Sequence, residues 1–202
     1  PEYSFDSVLA GKQDAYITKF AADAKAYGGE VIIIPYSEFN GDWFPWGGTM
    51  GNNTPAKYKA AYQYLHKFFV TAPNVKFGWA VNADSVPDTA ANQPELFYPG
   101  DAYVDIVGVD GFNSGKPTWM TFDQVFNDPI TRLKVYNKPI YIFSIGSQED
   151  TRKPAWITDG LSTQLAKYPE VKAVLWFNQN KEYNWLVNSS AASLAAFKSV
   201  LP

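Results

Sequence analysis

Glu38 is the residue around which chemistry can be built. It lies in the stretch IIIPYSEFNGDWFPW, Ile32 to Trp46, where an apolar run of strand formers stops at a carboxylate. Asn40, Gly41, Asp42 and three aromatics, Trp43, Phe44 and Trp46, follow at once. An acid delivered by a buried strand is partly desolvated and keeps its proton toward neutral pH, as a general acid must. Flat apolar rings beside it offer faces to a sugar, and an amide such as Asn40 can bond its hydroxyls. The pattern predicts carbohydrate chemistry in an aromatic-lined cleft.

Other polar residues recur where apolar runs stop. VKFGWAV, Val75 to Val81, carries Trp79 and gives way to Asn82 and Asp84. YVDIVGVDG leads to Asp110, Phe112 and Asn113, PIYIF leads to Ser144, and the run Val171 to Phe177 carries Trp176 and ends at Asn178. Trp43, Trp46, Trp79 and Trp176 are candidate stacking platforms, and Asn40, Asn82 and Asn178 are candidate partners for hydroxyls. Trp119, Trp156 and Trp185 lie in or beside helices and returning loops and are assigned to packing. The one histidine, His66, falls in a helix and reads as a surface residue rather than a base.

Helices and strands must position these groups. Ile17, Phe20, Ala21 and Ala24 have helical spacing, and Gly28-Gly29 supplies a left-handed stop. Thr54-Pro55 reads as N-cap and first helical residue before the stripe Tyr58, Ala61, Tyr62, Leu65 and Phe69. Thr121 opens a helix disturbed by Pro129, Pro154 opens another, and Ala191 to Leu201 forms the last. Fully apolar strands alternating with helices predict an α/β fold with parallel strands. Glu38, Asp84, Asp110, Ser144 and Asn178 are expected at strand C-terminal ends, where a (β/α)8 TIM barrel builds its site. A doubly wound sheet would show a Gly-rich phosphate turn, and none is present. About five βα units are countable against the eight of a closed barrel. The expectation is a single domain, 1–202, resembling strands 4 to 8 of an incomplete barrel.

Composition excludes several classes. A net charge of −3 with no basic cluster argues against nucleic acid, and the absence of Cys with a single His rules out thiolate chemistry and His-rich metal sites. No apolar run is long enough to span a bilayer, and PEYSFDSVLAG lacks the form of a signal peptide. Neither cofactor nor metal is expected, and neither nucleic acid nor membrane as a partner. The aromatic share of 17% fits either a Tyr-rich core or a groove paved with rings.

SEFNGDW, YPGDAYVDIVGVDGFN, KPIYIF before Ser144, and WFNQNKEYNW, in that order, resemble the C-terminal part of glycoside hydrolase family 26, the β-mannanases and related β-glucanases. The resemblance implies a (β/α)8 barrel without metal and retaining hydrolysis of β-1,4-linked glycans. Such hydrolysis needs two carboxylates about 5 to 5.5 Å apart, one donating a proton and one attacking the anomeric carbon. By resemblance Glu38 is the acid/base, and the nucleophile position is Ser144. A serine hydroxyl without an adjacent base is a weak nucleophile. Two further positions depart from the family: Ser37, on the substrate side, stands where His is usual, and Phe112 stands where Tyr is usual. Three departures around one point favour natural drift over an engineered nucleophile substitution. Asp110 or Glu149 at a wider spacing would instead allow inversion, although Asp110 also suits a turn and Glu149 a solvated cluster with Asp150 and Arg152.

The readings that follow are a secreted enzyme acting on mannan or mixed-linkage β-glucan with hydrolysis impaired at Ser144, a glycan-binding pseudoenzyme, or a subunit whose missing N-terminal barrel part is supplied by another chain.

Overall fold

The computed structural model describes residues 4–201; Pro1–Tyr3, where the stretch read for a leader begins, and Pro202 lie outside the described residues. The chain divides into two compact units, Pro1–Val107 and Gly108–Pro202.

The first unit begins with α1 (Phe5–Leu9), capped by Ser4, and α2 (Asp14–Tyr27), which buries Ile17, Ala21 and Ala24 and ends where Gly28 turns left-handed at φ 75°. β1 (Val31–Ile33) pairs parallel with β2 (Val75–Asn82) in the register Val31 to Val75 and Ile33 to Phe77. Between them, α3 (Pro55–His66) starts as its sequence predicts: the Thr54 hydroxyl accepts from the Lys57 amide at 3.2 Å, and Pro55 fills the first turn. Tyr58, Ala61 and Tyr62 of α3 are fully buried, and the Tyr62 hydroxyl donates to the Gly78 carbonyl of β2 at 3.0 Å. Much of the aromatic content sits here, with Phe39 packed on Tyr58, Phe97 and Trp79 at ring separations of 4.6, 4.9 and 5.5 Å.

β3 (Ile106–Asn113) opens at the end of the first unit and runs on into the second. There follow α4 (Phe122–Leu133), β4 (Ile140–Ser147), α5 (Lys153–Thr158), β5 (Val171–Trp176) and α6 (Ala191–Ser199). α4 carries straight across Pro129, which is buried, so the expected disturbance is absorbed within the helix. The five strands are parallel and ordered as in the chain, the arrangement of an incomplete (β/α)8 barrel.

Strand limits differ from the expectation in a way that bears on the site. β1 stops at Ile33, five residues before Glu38, because Tyr36 and Glu38 adopt left-handed conformations, φ 54° and 55°, that no strand continues through. Asp110 and Ser144 are not strand ends: β3 continues to Asn113 and β4 to Ser147. Ile142 and Ile145 pair with Val174 and Trp176, three steps on β4 against two on β5, so one extra residue is accommodated at Phe143–Ser144. This shift in register has the residue count of a β-bulge, a device that re-aims a side chain.

A capping box closes the start of α4, with the Thr121 hydroxyl accepting from the Gln124 amide and the Gln124 side chain from the Thr121 amide. Thr121→Ala should therefore lower stability by about 1 kcal/mol in urea unfolding. An unchanged midpoint would show that tertiary contacts alone hold that end.

Candidate functional site

In the first unit Ser37, Glu38, Asn40, Trp43 and Trp46 belong to one loop that follows β1, and Trp79 and Asn82 to β2. The left-handed turn at Glu38 is closed by the Glu38 amide, which donates to the Ala80 carbonyl at 3.1 Å, and by the Gly41 amide, which donates to the Glu38 carbonyl at 2.9 Å. The half-buried Glu38 carboxylate accepts from Trp43 Nε1 at 2.8 Å. Trp43 is 45% exposed, so its ring is open to a ligand while its nitrogen orients the acid. The indole lies across Gly41, where an added Cβ would come within 2.3 Å of Trp43 Cζ2. Glycine is required at that step for the ring to sit where it bonds Glu38. Trp46 stacks on Phe44 at 4.5 Å with 16° between planes, and its Nε1 donates to the Ser37 carbonyl at 2.8 Å.

Asn40 is fully buried and holds this loop to the end of β2. Its Oδ1 accepts from the Asn82 amide at 2.8 Å, and its Nδ2 donates to the carbonyls of Asn82 and Asp84 at 2.9 and 3.3 Å. The Asn40 carbonyl accepts from the Val86 amide and from Asn92 Nδ2, both at 2.8 Å. Against expectation, Asn40 has no face left for a sugar hydroxyl; its bonding capacity is spent on the backbone around it, where it is fully buried. Trp79, likewise expected on a groove wall, is 1% exposed and stacks on Phe39. The Asn82 side chain donates to the Asp84 carbonyl at 2.7 Å and is half-buried. His66 is half-buried, edge-packed on Phe77 and Tyr103 at 4.9 and 5.4 Å, and burial holds its pKa below the usual range against the opposing pull of Asp105. It is a neutral packing group at pH 7, not a surface residue.

In the second unit, Ser144 is half-buried at the bulge, and Asp110 is 5% exposed within β3. Phe112 packs on Trp185 at 5.1 Å and on Phe177 at 5.5 Å. A Cβ at Gly146 would lie 3.1 Å from both Phe112 and Trp185, which places those rings over β4 two residues beyond Ser144. Trp176 turns the other way, toward Trp156 of α5 and Phe197 of α6 at 6.3 and 5.6 Å, with its Nε1 donating to the Trp185 carbonyl. The sugar platform expected at Trp176 is thus a helix-packing ring. Asn178 is exposed, and its Oδ1 accepts from the Val187 amide at 2.8 Å, a turn-satisfying role. Among the described residues no His, Cys, Asp or Glu cluster could hold a metal, and no helix is long and apolar enough to cross a membrane.

Residues 6–189 match the family model described as Glycosyl hydrolase family 26. The chain is 40% identical over 210 residues to Endoglucanase H of Acetivibrio thermocellus, covering 99% of this chain and 23% of that protein. It is 27% identical over 197 residues to mannan endo-1,4-beta-mannosidase of Bacillus subtilis, covering 93% of this chain and 50% of the relative. It therefore spans from 23% to 50% of these relatives' lengths. Among solved structures, a β-mannanase from Bacteroides ovatus superposes with a TM-score of 0.68 at 20% identity, over 96% of this chain and 60% of that one. A mannanase from Bacillus subtilis gives 0.65 at 23%, over 94% and 56%. At these identities the two structures show the fold.

Sequence reasoning missed three supports of the site. Gly41 was legible only once the Trp43 ring was placed. Asn92 lies in a loop with no motif around it, yet its buried amide braces the Asn40 carbonyl. Lys153 carries no signal at all, being a lysine in a charged stretch that proves fully buried. Asn40→Ala should cost about 3 kcal/mol, since it strands buried backbone groups. Gly41→Ala should cost under about 1 kcal/mol, because the half-exposed indole can swing aside, but it should red-shift Trp43 emission as the ring leaves Glu38. Denaturant melts followed by tryptophan fluorescence check both, and equal losses would contradict the division of roles.

Proposed function

Because the chain belongs to glycosyl hydrolase family 26, we propose that it engages β-1,4-linked mannan or mixed-linkage β-glucan, keeping a proton donor, Glu38, while lacking an effective nucleophile at Ser144. The observation that carries this reading is the contrast between the two positions. Glu38 retains a strained turn and a tryptophan donor that aims its carboxylate. Ser144 retains the bulge that presents a side chain, but the group presented is a hydroxyl with Phe112, rather than a hydrogen-bonding tyrosine, on the neighbouring strand. A left-handed glutamate costs the fold about 1 to 2 kcal/mol, a cost that function rather than packing accounts for.

In this reading Trp43 and Trp46 supply ring faces, Glu38 protonates the leaving oxygen, and hydrolysis is slow because no carboxylate traps the anomeric carbon. The names of the relatives, an endoglucanase and a mannan endo-1,4-beta-mannosidase, support β-1,4-linked polysaccharide as substrate class. We propose, on the size of such a polymer, that the protein acts outside the cell. β1 is an edge strand whose three residues are each half-buried, and the further strands of a closed barrel would add there. A pure binding role is the second reading, favoured by Ser37, Phe112 and Ser144 together departing from the family's usual residues.

Aryl β-mannobioside and barley-type glucan should be cleaved very slowly by the unmodified chain. Azide, attacking from the face opposite the leaving group, should accelerate cleavage and give the α-glycosyl azide. Ser144→Glu should raise hydrolysis at least about 100-fold, and Ser144→Glu with Phe112→Tyr further, since the tyrosine can hold the new carboxylate. Glu38→Gln should abolish the gain on poorly activated substrates. Glycan binding by calorimetry without azide rescue or gain from Ser144→Glu would leave the binding role in its place.

A further inference from the structure

Lys153, at the start of α5, is the one lysine among the described residues that is fully buried. Its Nζ donates to the Leu186 carbonyl at 2.8 Å and to Ser189 Oγ at 2.9 Å, and reaches the Asn184 carbonyl at 3.5 Å. The two carbonyls flank Trp185, whose own carbonyl accepts from Trp176 Nε1 at 2.7 Å. Three consecutive peptide oxygens are thus held from α5 and β5. The indole they carry is 2% exposed and seats the half-buried Phe112 ring over Gly146.

We propose that Lys153 is a positioning residue: its ammonium fixes the segment between β5 and α6, and through Trp185 it sets the Phe112 ring near Ser144. That Phe112 faces the glycan, as the ring beside the nucleophile position, is part of this proposal and rests on the function proposed above, whereas the fixing of Trp185 does not.

The charged groups around the ammonium make the arrangement sensitive to pH. Glu149, on the turn before α5, lies 3.9 Å away and accepts from the hydroxyls of Ser189 and, at 3.4 Å, Ser193 of α6. Asp150 and Arg152 on the same turn pair with each other at 2.7 Å. Glu182 on the fixed segment accepts from Trp185 Nε1 at 3.2 Å, and β5 presents the Trp176 ring at 5.7 Å. Burial pulls Lys153 down to about 8, with Glu149 opposing. Below that pH the ammonium serves its three acceptors, and above it the neutral amine has one donor fewer. Because an unfolded lysine keeps its proton to about pH 10.4, unfolding takes up a proton between these values and the stability linked to Lys153 rises with pH there. The local hold on Trp185 weakens over the same range. Opposite trends in global stability and local order are what ordinary alkaline unfolding would not produce.

The test is a 19F NMR titration of the full chain carrying 5-fluorotryptophan, with the Trp185 resonance identified by its loss in Trp185→Phe. One step with a midpoint near 8 is expected, absent from Lys153→Met. Affinity for a β-1,4-mannan hexasaccharide, by calorimetry, should be about tenfold weaker above the step than below it, and independent of pH in Lys153→Met. A flat Trp185 resonance, or the same step in Lys153→Met, overturns the proposal. Should Lys153→Met fail to fold, Ser189→Ala must shift the midpoint, and an unmoved midpoint is equally fatal. A Trp185 step with no hexasaccharide binding at any pH removes the glycan reading and leaves the positioning role standing. Binding that is unchanged across the step breaks the link from Trp185 to Phe112.

Discussion

The buried side chain of Asn40 is the interaction on which the site residues of the first unit depend. A loop of some twenty residues between β1 and α3 has no ladder to satisfy its peptide groups, and Asn40 substitutes for one by bonding the backbone at Asn82 and Asp84 while its own carbonyl takes Val86 and Asn92. Because Asn40 is anchored, Glu38 two residues earlier can occupy a left-handed conformation and Gly41 one residue later can lie flat beneath Trp43. The order Glu, Asn, Gly, Trp is then a mechanical sequence: an acid, the anchor that permits its strain, the gap for a ring, and the ring that aims the acid. Reordering any two of them would lose the bond between Trp43 and Glu38.

How much of this could be read from the sequence depended on whether a residue's role is local. Caps are local, so the starts of α3 and α4 at Thr54 and Thr121 and the stop of α2 at Gly28 are where their residue types predict. Strand ends are set by neighbours, and β1, β3 and β4 each depart from the limit an apolar run suggests. The direction a tryptophan faces is less legible still. Trp79 and Trp176 stand in strands, and a shift of one residue exchanges the two faces of a strand. The register irregularities between β4 and β5 are of that kind, and they lie beside Trp176, which joins the helices, and Ser144. At Asn40 an amide serves a sugar and a backbone equally well, and only its burial decides between them.

The two units keep different parts of the machinery expected of a retaining glycosidase. In the first, the strain at Glu38 and the ring above it are intact, and these are features that stability alone would tend to remove. In the second, the bulge at Phe143–Ser144 persists although the side chain it presents is small, and Phe112 buries its edge against Phe177 and Trp185. A tyrosine hydroxyl at position 112 would need a partner in that apolar setting, and a carboxylate at position 144 would be the group to supply one. In the proposed reading the serine and the phenylalanine are consistent with each other, since a tyrosine hydroxyl at position 112 would have no carboxylate at position 144 to bond.

This coupling bears on what the protein can still do. A bulge and a set of packed rings are properties of the backbone and core, slow to be lost, whereas a single carboxylate is lost in one substitution. Under the proposed function, a site without a nucleophile that keeps its rings in place still holds a substrate. That shifts the functional weight from the reacting atoms to the groups that position the rings, which are Asn40 and Gly41 in the first unit and Lys153 and Gly146 in the second. Apart from Asn40, none of these would be singled out by a search for catalytic chemistry, yet each lies at contacts that a single methyl group or a lost proton would disturb.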